Sequence, residues 1–299
     1  MGNLFSRKND GDIDYDKAFS GLVVFRASLL TEGNGRAGIR LPGLDKRLRE
    51  WCNYSRSRRD FVLLIMSAKI NNAEETEASI RQKIDISRNT LKAIVEEAIP
   101  LEIAARHDNR VISVAAEFYD TYMESYLREW EMMDPDSAKA LSVALKALTK
   151  KYITMSVGDA TSKALEFTVL SRAESVKANR KIRLSNSGEG DGLNLSSWAV
   201  VNSFNRDLLL LLMSAAITGN HLSVAEIMKR LHVSRNAVKT SLRLGIDGGF
   251  ITRSNGYSCS GKALKDYLNW HYAVFSSYSD DLLSASALFY EYLATREID

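Results

Sequence analysis

The chain has 299 residues, 45% hydrophobic and 26% charged, with a formal net charge of +3 and three prolines. A chain of this length buries two cores of roughly 140 residues each, and so little proline favours long helices. The longest apolar run, Leu208 to Met213, is far too short to span a bilayer and no secretory pattern opens the chain, so a cytoplasmic protein without a transmembrane segment is expected.

The charge is unevenly divided: residues 1–150 carry 23 basic and 23 acidic groups, and residues 151–299 carry 17 and 14. So weak an excess does not announce a nucleic-acid partner, and local clustering must carry that argument. Cys52 and Cys259 stand at unrelated places in the chain, which suggests neither a disulfide nor a metal site. Buried, idle thiols are expected, with a redox switch as the alternative.

In chain order, Met1-Gly2-Asn3-Leu4-Phe5-Ser6 fits an N-myristoylation pattern and is followed by Arg7 and Lys8. A leading helix comes next. Its Lys17-Ala18-Phe19 and Arg26-Ala27 reappear 146 positions later as Lys163-Ala164-Leu165 and Arg172-Ala173. Polar, Gly-rich loops follow both copies, Thr31 to Gly43 and Ser185 to Gly192, and then Trp51 and Trp198 on short helices. From there the chain repeats itself at an offset of 147: Arg59-Asp60-Phe61-Val62-Leu63-Leu64-Ile65-Met66-Ser67-Ala68 returns as Arg206-Asp207-Leu208-Leu209-Leu210-Leu211-Leu212-Met213-Ser214-Ala215. Ser87-Arg88-Asn89 aligns with Ser234-Arg235-Asn236, and Ile80, Ile84, Ile86 and Leu91 align with Ile227, Leu231, Val233 and Val238. One packing solution is used twice, and the repeats run over 13–152 and 158–299.

Within the second repeat, Ser223-Val224-Ala225-Glu226 has capping-box spacing and predicts a helix start at Ser223. His232-Val233-Ser234 turns the chain into a third helix capped by Ser234 and ended at Gly248-Gly249. Ser254-Asn255-Gly256 then predicts a hairpin turn between Phe250–Arg253 and Tyr257–Ser260. Helix, turn, helix and short hairpin make a winged helix. The first repeat follows with Thr76 in place of Ser223, Ser87 as cap, Pro100 closing the third helix, and a hairpin from Leu101 to Val114 with Asp108-Asn109 near its tip. Past each wing a long helix carries large apolar groups: Phe118, Tyr122, Tyr126 and Trp130 in one, Leu268, Trp270, Tyr272 and Phe275 in the other. A last helix follows each, from about Pro135 to Lys150 and from about Asp280 to Thr295. The aromatic stripe from Phe118 to Trp130 reads first as core and alternatively as the wall of a pocket for a small-molecule effector.

The order of elements resembles the MarR family of bacterial transcription regulators over nearly the whole chain, twice. Leu222 to Arg253 is similar to that family's stretch from second helix to wing, and Asp108 to Val114 to its wing exit. The second wing is shorter than usual, and the first lacks the typical preceding glycine. In that family the leading and trailing helices of two subunits interlock. The resemblance therefore implies a mainly α protein in which two tandem winged helix-turn-helix domains form a pseudo-symmetric fused dimer with a shared helical core, similar to two-domain Sar-type regulators. Such a chain would be a monomer occupying one operator on double-stranded DNA, its third helices about 34 Å apart.

The residue types suit that task. A third helix in a major groove meets base edges near its N-terminus: Arg235 can bond guanine and Asn236 adenine in bidentate fashion. Lys229, Arg230, Lys239 and Arg243 would hold phosphates, with Ser234 and Thr240 beside them. Ser87, Arg88, Asn89, Thr90 and Lys92 are their counterparts in the first repeat, and Arg106, Arg110 and Arg253 stand on wings.

An enzyme is not expected. His107, His221, His232 and His271 are scattered without partners at ligand or triad spacing, no phosphate-cradling glycine loop appears, and no cofactor is implied. Two alternatives stay open. A plasmid or phage replication initiator would use the same parts at direct repeats rather than at an inverted repeat, and an N-myristoylated, membrane-associated interaction protein would show its modification by mass spectrometry.

Overall fold

The structure, a computed structural model, describes residues 13–31, 41–185, 195, 198–199 and 203–296. The Met1 to Ser6 motif and most of the two Gly-rich loops lie outside the described residues. The fold is mainly helical with two small antiparallel sheets.

The first repeat gives α1 (Tyr15–Thr31), α2 (Lys46–Tyr54), α3 (Arg56–Ile70), β1 (Glu75–Thr76), α4 (Glu77–Ile84), α5 (Arg88–Ala98), β2 (Ala104–Arg106), a 3-10 turn at Asp108–Arg110, β3 (Val111–Val114), α6 (Ala116–Trp130) and α7 (Pro135–Leu148). The second gives α8 (Val157–Ser185), α9 (Ser203–Ile217), α10 (Val224–Leu231), α11 (Arg235–Asp247), β4 (Ile251–Arg253), β5 (Tyr257–Cys259), α12 (Gly261–Ser276) and α13 (Asp280–Thr295). These elements pack as two compact units that cut across the repeats. One comprises Met1–Gly38, Glu131–Ala164 and Gly190–Asp299, the other Ile39–Trp130 and Leu165–Glu189. The leading helices are exchanged: α1 belongs with the second repeat's α9 to α13, and α8 from Leu165 onward with α2 to α6.

In the smaller unit, local chemistry sets each boundary. The Thr76 hydroxyl accepts the Ser79 N–H at 3.2 Å to start α4, and Asp85 ends it in the left-handed region at φ 64°. Ser87 accepts the Thr90 N–H at 3.1 Å to start α5, whose Leu91, Ile94, Val95 and Ala98 form one buried stripe. The hairpin pairs from Ala104↔Val114 to Arg106↔Ile112, and β1 adds Glu75↔Ile112 on the other side of β3. Phe118, Tyr122, Tyr126 and Trp130 are all buried, with ring centroids 5.7 Å apart for the first pair and 6.0 Å for Tyr122 and Tyr126. They are core. From α8, the Arg172 guanidinium lies 4.7 Å above the Tyr126 ring and 3.8 Å from the buried Glu129 carboxylate, which also accepts the Leu41 N–H at 3.1 Å.

In the larger unit, Ser223 and Glu226 form the full capping box, and Ser234 caps α11 by accepting the Ala237 N–H at 3.3 Å. Gly249 takes the left-handed conformation after α11, at φ 73°. The β4–β5 hairpin turns through Ser254 to Gly256, and Tyr257 bridges back to Leu222. On α12, Leu268 and Phe275 are buried, whereas Trp270 is 54% exposed and His271 takes the inward place. Helices α7 and α13 pack antiparallel: the Lys150 N–H, just past α7, donates to Asp280 at the start of α13 at 2.9 Å, and the Tyr292 hydroxyl near its end donates to Glu131 just ahead of α7 at 3.2 Å. At an offset of 145, the Ser142 hydroxyl donates to its own equivalent, the Ala287 carbonyl, at 2.8 Å, and Lys146 pairs with its equivalent Glu291 at 2.8 Å.

Candidate nucleic-acid interface

Helix α11 turns Val238, Ser241, Leu242 and Gly245 inward. The spacing of four then places Arg235, Lys239 and Arg243 on one exposed side, with Asn236 and Thr240 beside them. A helix can project such a row only if its other side is fixed. Gly245 permits a close approach, because a Cβ there would lie 2.9 Å from Ile251 Cγ1 on β4 and 3.2 Å from the Trp198 ring. A polar link adds direction: the buried Asn205 of α9 donates from Nδ2 to the Trp198 carbonyl at 2.8 Å and accepts the Ser241 hydroxyl at 2.7 Å.

The first repeat fastens α5 with different atoms. Trp51 Nε1 donates to Glu97 at 2.9 Å, and Arg58, the equivalent of Asn205, forms an ion pair with the same carboxylate. The Arg58 guanidinium also lies 5.1 Å from the Trp51 ring centroid and 4.4 Å from that of Tyr54. Sequence reasoning did not single out Asn205, Ser241, Arg58 or Glu97. The available signal was an Asn in the first turn of an apolar helix, at the position where the other repeat has an Arg.

Every residue expected at the interface is exposed: Ser87, Arg88, Asn89, Thr90, Lys92, Arg106 and Arg110 in the first repeat, and Lys229, Arg230, Ser234, Arg235, Asn236, Lys239, Thr240, Arg243 and Arg253 in the second. Their charge environments differ. Lys92 pairs with Glu96 at 3.6 Å, and Arg106 with Glu77 at 2.8 Å. The Ser87 and Thr90 hydroxyls bond each other at 2.8 Å, and Arg110 sits at φ 59° on the hairpin tip. Among the described residues, Arg235, Lys239, Arg243, Lys229 and Arg230 form no ion pair. Arg253 instead lies 5.7 Å from the Tyr257 ring.

Glu226 is held below the usual carboxylate range, first by the Ser223 backbone N–H that it accepts at 2.7 Å, so it stays charged while engaged in the cap. Burial pushes both thiols, Cys52 and Cys259, up to about 12, so they are protonated at neutral pH. Among the described residues, no group of three or more His, Cys, Asp or Glu could hold a metal ion, and no helix is long and apolar enough to cross a membrane. Comparison of the chain with known protein families, with curated proteins and with solved structures finds no match.

Proposed function

We propose that the chain is a sequence-specific, double-stranded DNA-binding transcription regulator, built as a single-chain pseudo-dimer of MarR-like winged helix-turn-helix repeats. The observation that carries this reading is the α11 face. Ser234, Arg235, Asn236, Lys239, Thr240 and Arg243 stand exposed on a capped helix whose opposite side is packed and hydrogen-bonded. The same Ser-Arg-Asn opens α5, again with its serine as the cap. A helix of this kind fits a major groove, with Arg235 and Asn236 near its N-terminus for base edges and the later cations for phosphates. The offset contacts between α7 and α13 support the pseudo-dimer, since an internalised two-fold interface brings equivalent residues together at its axis.

The test is selection of bound fragments from a random-sequence duplex library with the full chain, followed by footprinting. Enrichment of a common motif that occurs at promoters is expected. A pool that remains random after several rounds contradicts sequence-specific binding, and enrichment confined to replication origins contradicts the regulatory role.

A further inference from the structure

The two repeats present the same fold elements with opposite charge balance. Residues 75–114 carry six basic and seven acidic side chains, and the equivalent residues 222–259 carry six basic and two acidic. One part of the difference falls on the exposed side of the third helix. Glu96 of α5 stands at the position of Arg243 on α11, one turn after Lys92 and Lys239 respectively. On α5 the Glu96 carboxylate pairs with Lys92 and cancels it. On α11 the corresponding two residues are both cations.

The surroundings repeat the pattern. In the first repeat Arg106 is held by Glu77, Lys83 by Glu75 and Arg58 by Glu97. In the second, one of the two acids, Glu226, is tied into the cap of α10, and Asp247 sits at the far end of α11. Duplex affinity comes mainly from neutralised phosphates, so Lys92 and Arg106, already paired, contribute little, and a carboxylate on the same exposed helix as Arg88 opposes the approach of the DNA backbone.

Resting on the DNA-binding reading above, we propose that this is an asymmetric reader. The second repeat supplies almost all of the phosphate contacts, and Glu96 holds the first repeat's third helix away from the DNA backbone. One chain then protects one half-site rather than two.

The experiment measures anisotropy of a labelled, random-sequence duplex of about 40 base pairs against the full chain over a salt series. Combined Arg235→Ala, Lys239→Ala and Arg243→Ala should weaken binding about 100-fold or more and flatten the log–log salt slope by about 3, near 0.9 per lost phosphate contact. Combined Arg88→Ala, Lys92→Ala and Arg110→Ala should change affinity less than about threefold. Glu96→Arg should tighten binding severalfold and steepen the slope by about 1. All these positions are exposed, so circular dichroism should show every variant folded. Equal losses from the two triple variants, or no gain from Glu96→Arg, overturn the asymmetry while leaving DNA binding intact. Failure of the unaltered chain to bind the duplex even at low salt overturns the DNA-binding reading itself, and the asymmetry with it.

Discussion

Replacing Asn205 with alanine tests how α11 is held. The Asn205 side chain is 2% exposed and makes bonds of 2.8 Å to the Trp198 carbonyl and 2.7 Å with the Ser241 hydroxyl. Each such bond is worth about 1 kcal/mol net, and each buried partner left unsatisfied costs about 1–3 kcal/mol. Asn205→Ala should therefore destabilise the larger unit by about 2–4 kcal/mol. Urea denaturation followed by intrinsic fluorescence and circular dichroism reads this as a lower midpoint at unchanged slope. Two compact units can unfold in separate transitions, so the affected transition is fitted alone. Ser241→Ala should cost less, and the double variant should fall short of the sum of the singles by about 0.5–3 kcal/mol, because the two side chains share a bond. A loss below about 0.5 kcal/mol for Asn205→Ala, or strict additivity with Ser241→Ala, would refute the link.

Gly245→Ala should lower stability by about 1–3 kcal/mol through overpacking against Ile251 and Trp198, although helix propensity alone would raise it by about 1 kcal/mol. Stabilisation in the same urea assay would show that α11 does not approach β4 that closely. Ser223→Ala should cost about 1 kcal/mol by opening the capping box, whereas Ser223→Asp should nearly preserve stability; equal losses would contradict the cap. His271 is 3% exposed among Phe19, Tyr267 and Phe275, and burial first, then the Arg26 charge, lowers its pKa well below 6.5. Below the unfolded value near 6.5 the unfolded chain binds this proton and the folded chain does not. The stability is therefore complete above that pH and is lost as pH falls towards the folded value. His271→Phe should remove this part of the acid dependence between pH 7 and 5 in thermal melts, and an unaltered pH profile would contradict it.

What the sequence disclosed was mostly local. The cap at Ser223, the cap at Ser234 and the hairpin at Asn255-Gly256 depend on residues within one turn of one another, so spacing alone revealed them. The α5 stripe of Leu91, Ile94, Val95 and Ala98 follows from period 3.6. The exchange of leading helices was not legible in the residues of α1, because the partners that bury Phe19 and Leu22 lie in segments more than a hundred positions away. Trp270 misled for a related reason. A helix that buries Leu264, Leu268 and Phe275 brings position 271 inward and leaves 270 off the stripe, whatever the size of its side chain.

At the candidate interface, residue types were legible and their neutralisation was not. Whether Lys92 is free or paired depends on Glu96 one turn away, and whether Arg106 is free depends on Glu77 across the sheet. The Lys146–Glu291 pair between α7 and α13 shows the same limit. In a true homodimer the equivalent residues would be identical and like charges would meet. Here the two positions carry opposite charges, although so exposed a pair adds little stability.

Sequence reading by Arg235 from a DNA-bound α11 is tested most directly by the ratio of affinities for a selected duplex and a scrambled one. Measured at one stated salt concentration, the unaltered chain should prefer the selected duplex by about a thousandfold or more. Arg235→Ala should cut that ratio by about 5- to 150-fold, the equivalent of about 1–3 kcal/mol, whereas Lys229→Ala should weaken both duplexes alike and keep the ratio. Equal losses on both duplexes for Arg235→Ala would contradict sequence reading by that residue.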